Sequence, residues 1–338
     1  MTRRGAWATR LAACSGLCWC VAGCSGPAFQ LDESARLSIA QDGGSLPPLI
    51  TTNHLPDRDA AIEPSGTGGS TSAPPDAGEP DLPLATTGCG PARLADAELA
   101  DNEVCIRAGS FDMGSAEATR PNYFAHGPVH AVTLSAYFLD AYEVTVARYR
   151  LCVTDGGCAA PSTNAVQGCT YTEAAGDREL FPVTCVPWPS AQEFCAWDGG
   201  RHLPTEAQWE QAARTSAGSK YPWGEAFSCD RAVLGGASQC SEYAGQLPRA
   251  VGSARSGASP ERVYDLVGNA AEWVGDWFGS YPTTAVTDPS GPATGSARIQ
   301  RGGSWLTIAA DATSYARRGE APASTGPFSF RCARDSAL

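Results

Sequence analysis

The stretch Arg301-Gly302-Gly303-Ser304-Trp305 decides the fold of this chain, together with the seven residues that follow it. Two glycines before a small polar residue and an aromatic one predict a tight backbone turn that leads into a packed side chain. The next residues read Leu306-Thr307-Ile308-Ala309-Ala310-Asp311-Ala312, with one carboxylate and neither cysteine nor histidine. The turn is therefore informative about the fold, whereas the loop after it contains few side chains that could take part in a reaction.

The composition indicates an acidic globular protein. The 338 residues have a formal net charge of −12 and a pI of about 4.8. Because phosphate contacts need a basic face, nucleic acid is not expected as a partner. A hydrophobic content of 43% allows a sizeable core, and 37 Gly and 25 Pro predict loops rather than long helices.

The N-terminus, residues 1–24, is typical of a lipoprotein signal peptide. A basic segment with Arg3, Arg4 and Arg10 precedes an apolar stretch that is too short to span a bilayer. The segment ends Val21-Ala22-Gly23-Cys24, which resembles a bacterial lipobox with Cys24 as the lipidated residue. An ordinary signal peptide is the alternative. We expect an exported protein of the bacterial cell envelope, held to a membrane surface by its lipid anchor.

Residues 25–88 indicate a flexible tether. Their Pro-, Gly-, Ser- and Thr-rich tracts are too poor in apolar side chains to offset the entropy of ordering, and no specific role is expected for His54. From Cys89 to residue 338 the composition is that of one folded domain. Its ten cysteines indicate an oxidising compartment and disulfides, and a zinc site is disfavoured because that part contains no Cys-x-x-Cys.

Several elements of this domain have local signatures. The alternating segment from His130 to Leu139 predicts a strand. Thr145 predicts the start of a helix that ends before Gly156-Gly157. Ser190-Ala191-Gln192-Glu193 and Thr205-Glu206-Ala207-Gln208 both read as capping boxes that open helices, the second with Trp209, Ala212 and Ala213 facing inward. Glu206 and Glu210 lie on this helix as candidates for ion pairs with Arg214, which follows Glu210 by one turn.

An ordered series of motifs resembles the formylglycine-generating enzyme family, the sulfatase-modifying factor domain. The matching segments are Phe111-Asp112-Met113-Gly114-Ser115, Glu143-Val144-Thr145, Pro182-Val183, Arg201-His202-Leu203-Pro204-Thr205-Glu206-Ala207-Gln208-Trp209-Glu210, Tyr221-Pro222-Trp223-Gly224, Tyr264-Asp265-Leu266-Val267-Gly268-Asn269, Glu272-Trp273, Arg301-Gly302-Gly303-Ser304-Trp305 and Phe330-Arg331-Cys332. The resemblance covers roughly residues 100–335. It implies a single compact α+β domain, poor in regular secondary structure, disulfide-bonded and distantly like the C-type lectin fold.

The resemblance also implies a chemistry that this chain departs from. Enzymes of the family use oxygen to convert a cysteine in a sulfatase peptide to formylglycine, and two cysteines after the Gly-Gly-Ser turn hold copper(I). Here those positions are Thr307 and Ala312, and no cysteine occurs from residue 241 to 331. Copper is therefore not expected, because soft thiolates are its ligands. The alternative is a different alignment of this loop in which Cys332 serves.

The resemblance assigns Cys332 another role, a disulfide with Cys195. Closing so long a loop would constrain the unfolded chain by roughly 4–5 kcal/mol. Closeness in sequence favours the pairs Cys229 with Cys240 and Cys89 with Cys105. The sequence does not choose among the remaining cysteines, which are Cys152, Cys158, Cys169 and Cys185.

A calcium site is a further implication. By resemblance, Asp265 and Glu272 supply side-chain oxygens, and Gly268 and Ala270 supply backbone carbonyls, which suits a hard cation. The alternative is that both carboxylates accept hydrogen bonds within the protein. His126 and His130 flank Gly127-Pro128, which disfavours a helical metal pair and indicates a surface or strand-entry position.

Three functions follow for comparison. The first is a non-catalytic domain that binds a protein or glycan partner through its irregular loops. The second is an oxidase that acts on a peptidyl cysteine. The third is the non-haem iron chemistry of related carbon–sulfur bond-forming enzymes. These resemble this chain only in their C-terminal part and take iron ligands from an added helical domain, which residues 25–88 do not resemble. The lack of a thiol pair at positions 306–312 favours the first.

Overall fold

The computed structural model describes residues 88–92, 99–117, 126–164, 168–214, 218–235, 240 and 247–336. All of them lie in the compact unit Glu79–Leu338. The predicted signal peptide with Cys24, and the predicted tether with His54 up to residue 87, lie outside the described residues. Among the described helices, none combines the length and the apolar character that crossing a membrane requires.

Short elements joined by long loops make up the described part of the chain. The helices are α1 (Val146–Thr154), α2 (Trp188–Trp197) and α3 (Glu206–Ala213). The strands are β1 (Glu103–Ile106), β2 (Gly109–Met113), β3 (His130–Leu134), β4 (Tyr137–Asp140), β5 (Ala271–Trp277), β6 (Val286–Thr287), β7 (Arg298–Arg301), β8 (Arg317–Glu320), β9 (Phe328–Phe330) and β10 (Ala333–Asp335). The predicted α+β class, poor in regular structure, is confirmed.

These strands form three small sheets, with orders β1-β4-β10, β2-β3-β6 and β8-β7-β5-β9. In the four-stranded sheet, β7 pairs antiparallel with β5 and with β8, and β5 pairs parallel with β9. Strand β7 ends at Arg301, directly before the glycine turn. The middle of this sheet therefore positions the turn.

The single strand predicted from His130 to Leu139 is wrong. The segment forms two strands, β3 and β4, that belong to different sheets. Between them, Ser135 donates its backbone N–H and its hydroxyl to the two carboxylate oxygens of Asp288, over 2.7 and 2.8 Å. These tertiary hydrogen bonds turn the chain where side-chain alternation alone indicates that it continues.

The helix predictions are confirmed except at the start of α2. Thr205 and Gln208 form a reciprocal capping box at α3, and Thr145 caps α1. The box predicted at Ser190 is wrong, because α2 begins at Trp188 and Ser190 lies inside its first turn. A proline in that first turn explains the earlier start, since its fixed φ suits a helix and its missing N–H has no partner there anyway.

The helices enclose two apolar cores on the four-stranded sheet. Side chains of α1 and α2 pack around Trp273 and Phe330. Side chains of α3, led by Trp209, pack against β2, β3 and β7. Both tryptophans are fully buried.

Five disulfides add covalent links to this small core. They are Cys89–Cys105, Cys152–Cys158, Cys169–Cys185, Cys195–Cys332 and Cys229–Cys240. The pair Cys195–Cys332 is the one that the resemblance implies, and it joins α2 to the loop before β10 across 137 residues of sequence. All ten cysteines of residues 89–338 are thus paired.

Candidate functional site

The turn after β7 requires glycine at both positions. Gly302 and Gly303 have φ angles of +83° and +74°, in the left-handed region. A Cβ on Gly302 would lie 2.8 Å from the carbonyl oxygen of Leu266. Backbone strain and close approach therefore both exclude a side chain, and the turn packs tightly on the segment that carries Asp265 to Glu272.

Arg301 anchors both ends of the loop that follows this turn. Its buried guanidinium donates to Glu210 Oε2 over 2.6 Å and to the carbonyl oxygens of Ser314 and Tyr315 over 3.0 and 3.1 Å. Burial alone would lower the pKa of Arg301, but the negative charge of Glu210 has the larger effect, so the pKa is raised. Because Ser314 and Tyr315 follow the loop in sequence, one side chain ties its exit to the strand at its entry.

The two α3 glutamates pair mainly with arginines distant in sequence. Glu210 accepts from Arg214 over 3.0 Å, as its one-turn spacing predicts. Glu206, however, pairs with Arg317 over 2.6 Å and with Arg301 over 3.4 Å. The prediction of a pair between Glu206 and Arg214 is therefore wrong, since β8 places Arg317 against the start of α3.

The loop brings Thr307 and Ala312 to the same point. A Cβ on Gly303 would lie 3.0 Å from Ala312 Cβ and 3.1 Å from Thr307 Cγ2, so both side chains pack on this glycine. Thr307 also accepts from the Ser304 amide through its hydroxyl over 2.9 Å. The two positions that the resemblance assigns to copper ligands are thus neighbours, and they present a bonded hydroxyl and a methyl group.

A cavity of about 280 Å³ opens beside this loop. Its walls include the glycine turn, and Leu306 in its lining is 58% exposed. Gln300 of β7, Arg318 of β8 and Phe328 of β9 also line it, together with Ile308 and Asp311 of the loop after the turn. The sequence analysis did not single out Leu306, Gln300 or Arg318. An aliphatic residue directly after the turn and the Arg317-Arg318 doublet were the available signals.

The predicted calcium ligands lie on the other side of the turn, where the Gly268 amide donates to the Gly302 carbonyl over 3.1 Å. Asp265 is held at φ +58° and accepts from the Gly252 amide over 2.5 Å. Glu272 accepts from Trp209 Nε1 over 2.8 Å and from Arg331 over 2.6 and 2.7 Å. Both carboxylates therefore accept hydrogen bonds within the protein.

This region contains more buried carboxylates than buried guanidinium groups. Glu143 lies beside Asp265 and Glu272, and accepts from Asn269 over 2.7 Å. The described charges of this buried cluster are three carboxylates and the guanidinium of Arg331. Burial, reinforced by the neighbouring carboxylates, raises the pKa of Glu143, and burial raises that of Asp265. The resemblance assigns calcium to the oxygens of Asp265 and Glu272 and to the carbonyls of Gly268 and Ala270, which are hard ligands.

The remaining predicted residues lie outside this site. His130 is the first residue of β3, as the strand-entry interpretation expects, but both His126 and His130 are buried rather than on the surface. Cys195, Cys332, Cys229 and Cys240 are in disulfides. Within the described ranges, no group of three or more His, Cys, Asp or Glu side chains is arranged to hold a metal ion.

Similarity to known proteins agrees with this geometry. The chain is 32% identical over 291 residues to the formylglycine-generating enzyme of Streptomyces coelicolor, which covers 70% of this chain and 90% of that enzyme. It is 29% identical over 258 residues to hercynine oxygenase of Mycolicibacterium smegmatis, which covers 66% of this chain and 58% of that protein. The solved structure of PvdO from Pseudomonas aeruginosa shares the fold, with a TM-score of 0.59 and 23% identity over 73% of this chain and 98% of that chain.

A family description covers most of the folded part. Residues 92–336 match the sulfatase-modifying factor enzyme 1-like domain, FGE-sulfatase. That range includes the glycine turn, the cavity and the buried carboxylate cluster. The chain therefore belongs to the sulfatase-modifying factor enzyme 1-like domain family.

Proposed function

We propose that this protein is a non-catalytic member of its family that binds a partner in the cavity beside Gly302 and Gly303. The observation that carries the proposal is the pair Thr307 and Ala312, which packs on Gly303 at the two positions where the resemblance expects thiolates. A hydroxyl and a methyl group are poor ligands for copper(I), which prefers soft sulfur. The residues present do not fit copper.

The other cysteines support the same proposal. Cys332 is the candidate for a substitute ligand, and it is bonded to Cys195. The remaining cysteines of residues 89–338 are also in disulfides. Because the thiolate is the metal ligand and nucleophile, a disulfide-bonded cysteine offers neither function.

The partner is a protein or a glycan. The cavity volume of about 280 Å³ and the exposed Leu306 at its rim support binding of a protruding group rather than of a flat surface. The acidic net charge of −12 argues against nucleic acid as the partner.

We propose further that Cys24 carries a lipid and that the protein faces the periplasm or the cell surface. The basic segment, the short apolar stretch and the small residues before Cys24 support this location. Mass spectrometry of the N-terminal peptide tests it. A diacylated cysteine is the expected mass, and Cys24→Ala is expected to move the protein from the membrane fraction to the soluble fraction.

Calcium is proposed as a structural ligand at Asp265 and Glu272. The excess negative charge of the buried cluster supports it. In this role the ion would hold the segment from Asp265 to Glu272 against the glycine turn, without taking part in a reaction.

A conversion assay tests the non-catalytic proposal. The full chain is incubated with copper(I), calcium, oxygen, a reductant and a sulfatase-type cysteine peptide. The mass of the peptide is then measured by mass spectrometry. We expect no aldehyde above a control without protein. The variant Thr307→Cys/Ala312→Cys is expected to bind copper(I) in competition with a chromophoric chelator, whereas each single variant binds far more weakly. Aldehyde formation by the unaltered chain would contradict the proposal.

The alternative function is oxidation of a peptidyl cysteine or a related residue. Its support is the 32% identity to a formylglycine-generating enzyme. The conversion assay separates the two functions directly. Because the chain is also similar to hercynine oxygenase, the assay is repeated with iron(II) in place of copper.

A further inference from the structure

We propose that a second cavity, of about 490 Å³, binds an amino sugar through its free ammonium group. We name it the β10 cavity, and its polar lining includes His202, Gln208, Asp288 and Asp335. The turn between β3 and β4, the start of α3, the residues after β6 and the end of β10 surround it. It shares no lining residue with the cavity beside the glycine turn. The inference therefore goes beyond the proposed function and does not depend on it.

Gln208 presents unused hydrogen-bond donors to the β10 cavity. The residue is only 8% exposed, and its Oε1 accepts from the Thr205 amide over 2.8 Å. Because that backbone N–H can only donate, it fixes which side-chain atom is the oxygen, and Nε2 lies at the other end of the amide. Nε2 has no hydrogen-bond partner among the described residues, and it is not one of their fully enclosed unbonded atoms. It therefore reaches the cavity that Gln208 lines, where it can donate to a ligand oxygen.

His202 and Asp335 place two hydrogen-bond acceptors side by side. His202 Nδ1 lies 2.9 Å from the Leu203 carbonyl oxygen, which can only accept, so Nδ1 carries the hydrogen and Nε2 of the neutral ring is an acceptor. Nε2 lies 3.6 Å from Asp335 Oδ1, beyond hydrogen-bond length, and the Asp335 side chain is 87% exposed. An ammonium group of a ligand carries three donors and can serve both atoms, whereas a hydroxyl group carries one.

The charge of the lining also favours a cationic ligand. Each carboxylate oxygen of Asp288 accepts one hydrogen bond from Ser135, which leaves about half of its acceptor sites unused. Asp335 is the second carboxylate, and the described residues of the lining include neither lysine nor arginine. The net charge of −12 adds a general attraction for cations. A positive ligand is therefore attracted to this cavity more strongly than a neutral one.

The combination of donors and acceptors distinguishes an amino sugar from a lysine side chain. A lysine ammonium group stands on an aliphatic stem and offers no oxygen near its nitrogen to Gln208. In an amino sugar, the hydroxyl on the neighbouring carbon supplies that acceptor. The C–H groups of the sugar ring can pack on the apolar part of the lining, which is Leu134, Ala136 and Pro289. The volume of the cavity lies within the range of small-molecule sites.

Three small ligands test the proposal on the full chain: glucosamine, glucose and pentylamine. Glucose lacks the amine, and pentylamine lacks the hydroxyl groups. Binding is measured by calorimetry at neutral pH, and the imidazole signal of His202, assigned by its absence from His202→Gln, is followed by NMR. We expect glucosamine to bind about three- to tenfold more tightly than glucose, as charge-assisted hydrogen bonds imply. Pentylamine is expected to bind more weakly than glucosamine, and the His202 signal should shift with glucosamine.

Protein variants assign the preference to residues. Asp335→Asn is expected to remove most of the preference for glucosamine over glucose, and the matched control Asp177→Asn, at an exposed carboxylate outside the lining, to keep it. Gln208→Glu keeps an oxygen for the Thr205 amide but replaces the Nε2 donors by a second acceptor. We expect it to weaken glucose and to leave pentylamine binding at least as tight. Circular dichroism checks the fold of each variant.

Several outcomes would overturn the inference. They are equal binding of glucosamine and glucose, no binding of any of the three ligands, and glucosamine binding that leaves the His202 signal unshifted. A preference for glucosamine that Asp335→Asn does not change would also overturn it. Pentylamine binding as tight as that of glucosamine would overturn it in favour of a lysine side chain. None of these results bears on the proposed function, because Leu306 and the glycine turn lie outside the β10 cavity.

Discussion

Polar side chains on the two faces of β7 and β8 differ in their burial and in their bonding partners. On the inner face, Arg301 and Arg317 are buried and form ion pairs with Glu206 and Glu210. On the cavity face, Gln300 is buried and its Nε2 has no hydrogen-bond partner among the described residues, and the Arg318 side chain is 55% exposed. The inner face commits its charges to the fold, whereas Arg318 on the cavity face pairs with Glu320 near the surface. Adjacent residues of one strand are therefore expected to contribute unequally to stability.

The largest expected effect comes from breaking the inner face. Arg301→Leu leaves Glu210 with a buried carboxylate that loses its closest guanidinium, and it frees the Ser314 and Tyr315 carbonyls that Arg301 holds. We expect a loss of about 3–5 kcal/mol in the free energy of unfolding. Urea denaturation followed by tryptophan fluorescence measures it.

The control for this prediction is Arg318→Leu on the cavity face. Its pair with Glu320 is exposed, so we expect a change within about 0.5 kcal/mol. Equal losses for the two variants would contradict the division between the faces.

Asp276 of β5 contrasts with the carboxylates of Glu206 and Glu210, because it accepts a hydrogen bond from a backbone amide instead of from a guanidinium. The Glu206 N–H donates to it over 2.8 Å. Burial, reinforced by Glu206, raises the pKa of Asp276 to about 7. The folded state therefore holds a proton that the unfolded state has lost between about pH 4 and pH 7, and this contribution to stability is present below pH 4 and is lost as pH rises to 7.

We expect this carboxyl to reduce the free energy of unfolding by roughly 4 kcal/mol across that range. Asp276→Asn should remove this part of the pH dependence. Urea denaturation of both proteins at pH 4, 5, 6 and 7 checks it. Parallel pH profiles for the variant and the unaltered chain would show that Asp276 is ionised throughout.

The glutamates of α3 are neutralised by arginines. Adding calcium tests whether a bound ion neutralises the carboxylates around Arg331 in a comparable way. At about ten times its dissociation constant, an ion that binds the folded state alone adds about 1.4 kcal/mol to the free energy of unfolding. We expect calcium to raise Tm relative to EDTA, as measured by calorimetry, and magnesium to have a smaller effect. Asp265→Asn should abolish the rise. A Tm that calcium leaves unchanged would mean that the carboxylates are balanced by protons.

The sequence predicted what depends on local chemistry. The two glycines at 302 and 303 predict a turn because left-handed φ angles favour glycine, and Thr205 with Gln208 predicts a helix start because the box lies within four residues. The strand from His130 was drawn too long because Asp288, which turns the chain at Ser135, is 153 residues away.

The site was less accessible to prediction for the same reason. The motifs placed Thr307 and Ala312 on one loop, but their contact with Gly303 depends on how Arg301 holds the loop at both ends. Nothing local distinguishes Gln300 from an ordinary exposed strand residue. Its burial comes from β5 and β8 pairing on either side of β7. Motif spacing and composition therefore do not predict which polar side chains the tertiary fold buries.

The smallest expected effect is the most informative about the cavity face. Gln300→Leu removes a buried amide whose Nε2 has no partner in the described part of the chain, so no hydrogen bond of that nitrogen is lost there and more apolar surface is buried. We expect the free energy of unfolding to change by less than about 1 kcal/mol, and to rise rather than fall. Urea denaturation beside Arg301→Leu measures both at adjacent positions of one strand. A large loss for Gln300→Leu would mean that the fold uses this amide, through hydrogen bonds of its oxygen or through its packing.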